Sequence, residues 1–233
     1  MITITPVSRK SGAQHGDGLK LSATRQPNFS HAFLKALAAK LAVEQIAPHN
    51  LPVGLTPEDI FHYTYGVFHS PGYRSRYAEF LKIDFPRLPL TGNPELFRAL
   101  ARLGGELTAL HLLESPKLAQ PITEFIGGRP PEVEKISWSR NTVWVDKAQT
   151  TGFRGVRGEV WNFHIGGYQV CEKWLKDRGP KNGQPGRVLT ADDIAHYHKI
   201  VIALHETVRL MKEIDEVIDA HGGWPGAFQP KHS

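Results

Sequence analysis

The chain has 233 residues, 40% of them hydrophobic, with a formal net charge of +5 and a single cysteine. One cysteine excludes a disulfide-stapled secreted fold, and no apolar run approaches the roughly 20 residues that span a bilayer. We therefore expect a cytoplasmic protein with one large domain and no membrane partner, and the basic balance favours acidic partners.

The N-terminal half predicts a polar lead-in followed by helices. Residues 1–26 are polar and keep neither helical nor strand periodicity, so we expect a flexible segment. Asn28 to Ser30 precede an apolar stripe at helical spacing, and Thr56, followed by a proline and two acids, marks the start of another helix. A further helix begins at Asn93, and the pair Gly104-Gly105 inside it indicates that another segment packs closely there.

The middle of the chain changes from helical to strand-like patterning. Residues 115–131 contain four prolines and a Gly-Gly pair and predict a loop. Beyond this loop, alternating residues predict a hairpin that turns at residues 139–141 and a strand over Val160 to Ile165. A helix over Tyr168 to Lys176 is expected to cover the resulting small antiparallel sheet.

The last helix is the longest that the sequence predicts. Thr190 and the acids after it form a capping signal, apolar residues continue at three-four spacing, and Gly222 ends the helix. Its length favours antiparallel packing on the helix that begins at Asn93 over a free coiled coil. We predict an α+β fold, in which a small antiparallel sheet with a covering helix packs with a helical part that includes this long C-terminal helix. The expected divisions are a flexible lead-in (1–26), a domain (27–221) with a helical part (27–114 and 190–221) and an α/β part (132–187), and a flexible tail (222–233).

Positive charge concentrates between Lys135 and Arg187. This window holds ten basic and four acidic residues, a balance of +6, whereas the rest of the chain sums to −1. Cations neutralise phosphates, and Arg, Lys, Asn and Gln side chains reach base edges, so the window predicts a surface that binds double-stranded DNA. Candidates for base reading are Lys147, Gln149, Arg154, Arg157, Asn162 and Gln169, and candidates for phosphate contact are Arg140, Lys173, Lys176, Lys181 and Arg187. We expect about half of these residues to be ordinary solvated surface groups.

No catalytic or metal site is recognisable in the sequence. His196 and His198 face different sides of a helix, and the lone Cys171 leaves no cysteine pair for a metal motif. The glycine series at residues 152–158 lacks the closing lysine of a phosphate loop, and the carboxylates form no recognisable acid-base pair. We therefore expect no metal, no cofactor and no catalytic residue. Cys171 and four tryptophans fall within apolar patterns and are expected in the core: Trp138, Trp144, Trp161 and Trp174.

A set of ordered motifs resembles a known family. In chain order the motifs are Asp59-Ile60, His69-Ser70-Pro71, Tyr73–Lys82, Asp84–Leu90, Glu159–Phe163, Ile165–Val170, Lys173–Arg178, Asp193-Ile194, His196-Tyr197 and Ile214-Asp215. They resemble the C-terminal specificity domain of type ISP restriction-modification enzymes, across residues 27–218. Because several motifs occur in the same order, the resemblance is more specific than a single short motif would be.

The resemblance implies sequence-specific recognition of double-stranded DNA. Type ISP enzymes are bacterial, single-polypeptide and ATP-dependent, and their nuclease, motor and adenine methyltransferase lie on the N-terminal side of the specificity domain. None of those parts occurs in this chain, so we expect it to have no enzymatic activity of its own. Its expected partners are DNA and the methyltransferase and motor domains, either in cis in a longer parent or in trans.

Two alternatives come from other functional classes. The first is a non-catalytic protein-interaction scaffold whose basic patch contacts an acidic partner, and the second is an enzyme fragment with an unrecognised site. Salt-dependent binding to duplex DNA with a preference among sequences separates DNA recognition from the scaffold. Turnover of a substrate by the isolated chain would favour the enzyme fragment.

Overall fold

The computed structural model of the chain describes residues 2–3, 27–127 and 132–229. Apart from its strand at residues 2–3, the predicted flexible lead-in lies outside the described residues. The chain divides into two units by its internal packing: unit 1 comprises residues 1–105 and 211–233, and unit 2 comprises residues 106–210.

The described residues form helices and short antiparallel strands, which confirms the predicted α+β class. The helices are α1 (His31–Leu41), α2 (Pro57–His69), α3 (Pro71–Arg76), α4 (Ala78–Leu81), α5 (Pro94–His111), α6 (Gly158–Trp161), α7 (Val170–Lys176), α8 (Ala191–Ala220) and α9 (Gly223–Gly226), with a 3-10 turn at Pro116–Ala119. The strands are β1 (Ile2–Thr3), β2 (Gln45–Ile46), β3 (Leu51–Pro52), β4 (Arg87–Leu88), β5 (Glu124–Ile126), β6 (Ser137–Ser139), β7 (Thr142–Trp144), β8 (Gly152–Arg154), β9 (His164–Ile165) and β10 (Tyr168–Gln169).

Helix α2 of unit 1 begins as the sequence predicts and packs on α5 through very close backbone contact. The Thr56 N–H donates to Asp59 Oδ2 (2.9 Å) and the Asp59 N–H donates to Thr56 Oγ1 (3.1 Å), a reciprocal cap that satisfies donors at the helix start. Tyr63 is fully buried and stacks on Phe97, with ring centroids 4.4 Å apart. A Cβ at Gly104 would lie 1.9 Å from the carbonyl oxygen of His62, which confirms the predicted close packing at the glycine pair.

The end of the described chain packs within unit 1. Ala227 is buried, and its carbonyl accepts a hydrogen bond of 3.0 Å from Thr91 Oγ1. The Trp224 ring stacks on Phe228 at 4.4 Å and lies 5.7 Å from the Tyr73 ring. Residues 223–229 of the predicted tail are therefore held by core contacts, while residues 230–233 lie outside the described residues.

Unit 2 is built around a four-stranded antiparallel sheet with strand order β5-β8-β7-β6. Strands β6 and β7 form the predicted hairpin, and its tip is Arg140-Asn141, whose φ values of 49° and 57° suit a tight two-residue turn. Helix α7 and the first part of α8 contribute to the same core as the sheet. The fully or almost fully buried members of this core are Val133, Val143, Val145, Phe153, Val156, Val160, Cys171, Leu175, Leu189, Tyr197, Val201 and Leu204.

The strand prediction for Val160 to Ile165 was wrong. Residues 158–161 form a helical turn instead, which buries Val160, and only His164-Ile165 are extended. The helix predicted from Tyr168 begins at Val170 because Tyr168 pairs with Ile165 in a small separate hairpin. The sheet is completed by β8 and by β5, and β5 lies inside the segment that was predicted as a loop.

The long helix α8 is capped as predicted. The Thr190 N–H donates to Asp193 Oδ2 (3.0 Å), and the Asp193 N–H donates to Thr190 Oγ1 (3.1 Å). Within unit 2, α8 lies antiparallel to α5, since Glu106 pairs with Arg209 and His111 bonds to Thr207. Across residues 27–127 and 132–229, no helix has both the length and the apolar character that crossing a bilayer requires.

Candidate nucleic-acid interface

The predicted DNA-contacting residues of the sheet lie at its two opposite ends. Arg140 precedes β7 and Lys147 follows it, and Gln149 precedes β8 while Arg154 ends it. Three residues of strand separate the ends by about 10 Å, a distance comparable with the width of the DNA major groove. The structure therefore places Arg140 with Arg154 at one end and Lys147 with Gln149 at the other.

We call the first end the arginine corner, which comprises Arg140, Asn141, Arg154, Gly155 and Arg157. The Gly155 N–H donates to the Asn141 carbonyl (2.8 Å), so the tip of the β6–β7 hairpin is fixed beside the end of β8. Gly155 has φ +99°, and a Cβ there would stand 2.9 Å from the Ile122 carbonyl oxygen, so this turn requires glycine. Arg157 follows two residues later and is exposed.

The cations of the arginine corner are available to a ligand to different degrees. Arg154 Nη2 pairs with Glu124 Oε2 at 2.6 Å across the β5–β8 ladder. Because both side chains remain more than half exposed, at 59% and 64%, solvent screens this pair and a phosphate can compete for the arginine. Among the described residues, the guanidinium groups of Arg140 and Arg157 take part in no ion pair and no hydrogen bond.

The opposite end of the sheet is a loop organised by Asp146. Its carboxylate accepts hydrogen bonds from the N–H groups of Thr150 (3.1 Å) and Thr151 (3.2 Å) and from the Thr150 hydroxyl (2.6 Å). Burial acts to raise the pKa of Asp146, but these hydrogen bonds outweigh it, so the pKa is lowered. The loop exposes Lys147 and Gln149, and Gln149 Nε2 donates to Ser137 Oγ at 3.3 Å.

Segment 162–176 carries four further predicted residues with contrasting surroundings. Asn162 is exposed where α6 ends, whereas Gln169 is half-buried and donates its side-chain amide to the Trp161 carbonyl. Lys173 pairs with a carboxylate four residues later, and Lys176 pairs with one four residues earlier at 2.8 Å, all on the surface of α7. Such exposed helix pairs contribute little to stability because solvent screens them, so both lysines can exchange their partners for phosphates.

The loop after α7 gathers cations around the buried carboxylate of Asp193. Arg178 Nε donates to Asp193 Oδ1 at 3.2 Å, and Arg187 pairs with the same oxygen. Burial acts to raise the pKa of Asp193, but the hydrogen bonds from Thr190 and the two arginines lower it to about 2. Arg187, a predicted phosphate contact, thus pairs with Asp193 while 56% of its side chain stays exposed. Lys181 is exposed and lies 3.4 Å from Asp177. Two sequence features pointed to Asp193, the capping signal at Thr190 and the Asp193-Ile194 motif of the family resemblance.

A pocket of about 310 Å³ in unit 1 groups several polar side chains. Asp59 and Arg102 both line it, but Asp59 caps α2 and Arg102 pairs with Glu213 at 3.2 Å. His62 and Arg98 complete its polar lining. The pocket is therefore lined partly by cations and partly by side chains that already cap a helix or form an ion pair. No nucleophile lies beside a base among its lining residues.

The Cys171 sulfur lies in the core of unit 2, and three of its four tryptophans pack against that core. Burial raises the pKa of the Cys171 thiol to about 12, so the thiolate is scarce at neutral pH. Trp138, Trp161 and Trp174 pack against the core, and Trp144 donates its indole N–H to Ser139 Oγ at 2.9 Å. In the part of the chain that the structure describes, no group of three or more His, Cys, Asp or Glu side chains gathers as metal ligands would.

Residues 4–213 match the family described as the Type ISP C-terminal specificity domain. This match covers most of the chain, and the chain therefore belongs to that family. No match was found among curated proteins.

Three solved structures share the fold. The first, a nuclease-deletion mutant of the Type ISP restriction-modification enzyme LlaGI in complex with a DNA substrate mimic, has a TM-score of 0.53 and 22% identity, and the match covers 71% of this chain and 14% of that chain. The second, the ATP-dependent Type ISP restriction-modification enzyme LlaBIII bound to DNA, has a TM-score of 0.55 and 19% identity, with coverage of 79% and 12%. The third, a DrdV–DNA complex, has a TM-score of 0.54 and 22% identity, with coverage of 73% and 21%. This chain thus spans between 12% and 21% of the length of the solved chains.

Proposed function

We propose that the chain recognises a specific double-stranded DNA sequence, as the specificity module of a type ISP restriction-modification system. Membership of the specificity-domain family supports this role. Three solved relatives of the same fold were determined with DNA or a DNA mimic, which supports the same choice of ligand.

The observation that carries the proposal is the arginine corner. It places Arg140 and Arg157, neither of which has an ion-pair partner among the described residues, beside Arg154, whose partner is exposed to solvent. Guanidinium groups bind phosphates and guanine edges through paired hydrogen bonds, and a hairpin tip can enter the major groove. Lys147 and Gln149 then contact the duplex from the other end of the sheet, about 10 Å away.

We further propose that the methyltransferase, motor and nuclease functions belong to other domains, in cis in a longer parent or in trans. The chain lengths support this proposal. The solved chains of the same fold are several times longer than this one, so they have room for further domains. The chain itself then supplies recognition and no catalytic residue, and the expected location is the cytoplasm.

Unit 1 is proposed to dock on the methyltransferase domain. Ile83 and Phe85 are 86% and 66% exposed, on either side of Asp84, which pairs with Arg87 at 3.3 Å. The solved chains of the same fold are several times longer than this one, which favours a further protein domain as the partner of these apolar side chains. Association of the chain with the cognate methyltransferase domain, and its loss when Ile83 and Phe85 are changed to serine, would test this docking.

The recognition role is tested by equilibrium binding of the purified chain to a randomised pool of DNA duplexes at several salt concentrations. We expect binding that weakens steeply with salt and repeated selection that enriches one sequence. A protein-interaction scaffold would instead bind duplexes without enriching any sequence. Failure to bind duplex DNA at low salt would contradict the proposed function.

A further inference from the structure

The small hairpin formed by β9 and β10 presents two apolar side chains to solvent. Ile165 and Tyr168 are 57% and 63% exposed and stand directly opposite each other in the strand register. Residues paired across two antiparallel strands share one face, so the two side chains form a single apolar patch. The turn between them is Gly166-Gly167, with φ values of 55° and 84°.

The tip of this hairpin is open. Among the described residues, no atom lies within 4 Å of a Cβ built at Gly166 or Gly167. The patch therefore contributes little to the core, and the apolar residues are not there to fill space inside the fold. Single exposed apolar side chains are ordinary on protein surfaces, whereas two that adjoin at a hairpin tip offer a contact surface to another molecule.

The base of the hairpin is held firmly by the fold. The Val170 N–H donates to the Phe163 carbonyl (3.2 Å), and Phe163 packs against the core of unit 2. Gln169 donates its side-chain amide to the Trp161 carbonyl, and His164 Nδ1 lies 2.7 Å from the Asn162 carbonyl oxygen. The projecting tip is thus rigidly positioned, which reduces the entropy that a ligand contact would cost.

The charge around the hairpin favours a polyanion as its ligand. Lys173 Nζ lies 5.9 Å from the centre of the Tyr168 ring and pairs with the carboxylate of Asp177. Both side chains of this pair are partly exposed, so solvent screens it and a phosphate can replace the carboxylate. Between Glu159 and Glu172 the sequence contains no acidic residue that would repel phosphates. The exposed apolar pair of unit 1 differs in this respect, because Asp84 lies within it.

We propose that the β9–β10 hairpin enters the major groove and that Ile165 and Tyr168 contact base edges, so that they help to determine which sequence is bound. A two-stranded ribbon fits the major groove, where apolar side chains distinguish thymine by its methyl group. This inference rests on the proposed function, and it assigns base reading to two residues that carry no charge and form no part of the arginine corner.

The test compares the unmodified chain with a double variant, Ile165→Ala with Tyr168→Ala. A matched control, Ile46→Ala with Phe61→Ala, removes two other exposed apolar side chains, both from unit 1 and 50% and 48% exposed. The unmodified chain first selects a consensus from a randomised duplex pool, and affinities for the consensus and for a scrambled duplex are then measured for all three proteins. The variants are compared by circular dichroism to establish that each is folded.

For the hairpin variant we expect the preference for the consensus over the scrambled duplex to fall at least about tenfold. Affinity for the scrambled duplex and its salt dependence should stay unchanged, because no charge is removed. In repeated selection, the variant should lose its base preference at a few adjacent base pairs of the consensus and keep it at the others. A general loss of structure would instead weaken the base preference at every position. The control should behave as the unmodified chain.

The outcomes separate the two proposals. If the unmodified chain enriches a sequence and the hairpin variant enriches the same sequence with the same preference, the hairpin proposal is overturned and the proposed function stands. If the unmodified chain binds duplexes but enriches no sequence, the proposed function and the hairpin proposal both fail.

Discussion

Gly104 lies against the backbone of His62 so closely that a Cβ at Gly104 would stand 1.9 Å from the His62 carbonyl oxygen and 2.9 Å from the Gly66 nitrogen. Backbone atoms cannot move aside as a flexible side chain can, so this contact fixes how α2 and α5 cross. The stability of unit 1 therefore depends on the absence of a side chain at this position.

Changing Gly104 to alanine should destabilise the protein by about 1–3 kcal/mol, although alanine alone favours a helix by about 1 kcal/mol. Urea unfolding measures the loss. The control is Gly105→Ala in the same helix, where a Cβ would meet the His62 ring at 3.2 Å and the ring can shift. Equal stability of the two variants would mean that α2 and α5 separate without cost.

Changing both Arg154 and Arg157 to alanine should weaken duplex binding by about tenfold and lower the slope of log affinity against log salt by about two. The reason is that each arginine that contacts a phosphate releases a counterion. Fluorescence anisotropy with a labelled duplex at several salt concentrations gives both quantities. Lys35→Ala with Arg98→Ala removes the same charge from exposed sites in unit 1 and should have a smaller effect. An unchanged affinity in the first variant would place the DNA on another face.

Changing Glu124 to glutamine should strengthen duplex binding by roughly threefold. The carboxylate holds Arg154 at 2.6 Å and repels phosphates, so its neutralisation releases the arginine and removes the repulsion. Thermal stability should change little, because the pair is exposed and such pairs contribute about 0–1 kcal/mol. Weaker binding would indicate that the pair orients Arg154 for its contact.

Changing Asp193 to asparagine should destabilise the chain by about 1–3 kcal/mol at neutral pH, since two arginines lose their anion and α8 loses its charged cap. The folded-state pKa of about 2 lies below the ordinary value for aspartate. Its stabilisation is therefore complete above pH 4 and is lost as the pH falls from about 4 towards 2. Denaturant unfolding at pH 7 and at pH 3 should show a smaller difference between variant and parent at the lower pH. The neighbouring exposed Asp192→Asn serves as the control.

Modification of Cys171 by a thiol reagent at pH 8 should be slow in the folded protein and fast after unfolding. Burial raises the pKa of the thiol to about 12, so both access and thiolate concentration are low in the native state. The absorbance of the released chromophore follows the reaction, and the same protein in denaturant gives the reference rate. Prompt modification of the native chain would show that the core of unit 2 opens readily.

Local signals in the sequence were sufficient for the starts of α2 and α8 and for one hairpin. The caps at Thr56 and Thr190 depend on residues only three positions apart, and the turn at Arg140-Asn141 lies between alternating strands. Each of these features is decided within a few residues. The mid-helix glycine pair also indicated close contact, although it gave no indication that His62 was the neighbour.

Pairings between distant segments could not be read from the sequence. Strand β5 lies in a proline-containing segment, and its place in the sheet depends on Glu124 and Arg154, which are 30 residues apart. The stretch from Val160 to Ile165 alternates as a strand does, but Val160 is buried by a helical turn because the core lies on one side of α6. Likewise, the charge of Arg187 is visible in the sequence, while its binding to Asp193 depends on how the loop folds back.

Within the described residues, a Cβ at Gly166 or Gly167 would meet no atom within 4 Å, and hydrogen bonds of Val170 and Gln169 hold the base of the hairpin. The residues at the tip are therefore not the ones on which the stability of unit 2 depends. New side chains can be grafted at positions 165 and 168 without disturbing the core, so this hairpin is where an engineer should begin to rewrite the target preference of the chain.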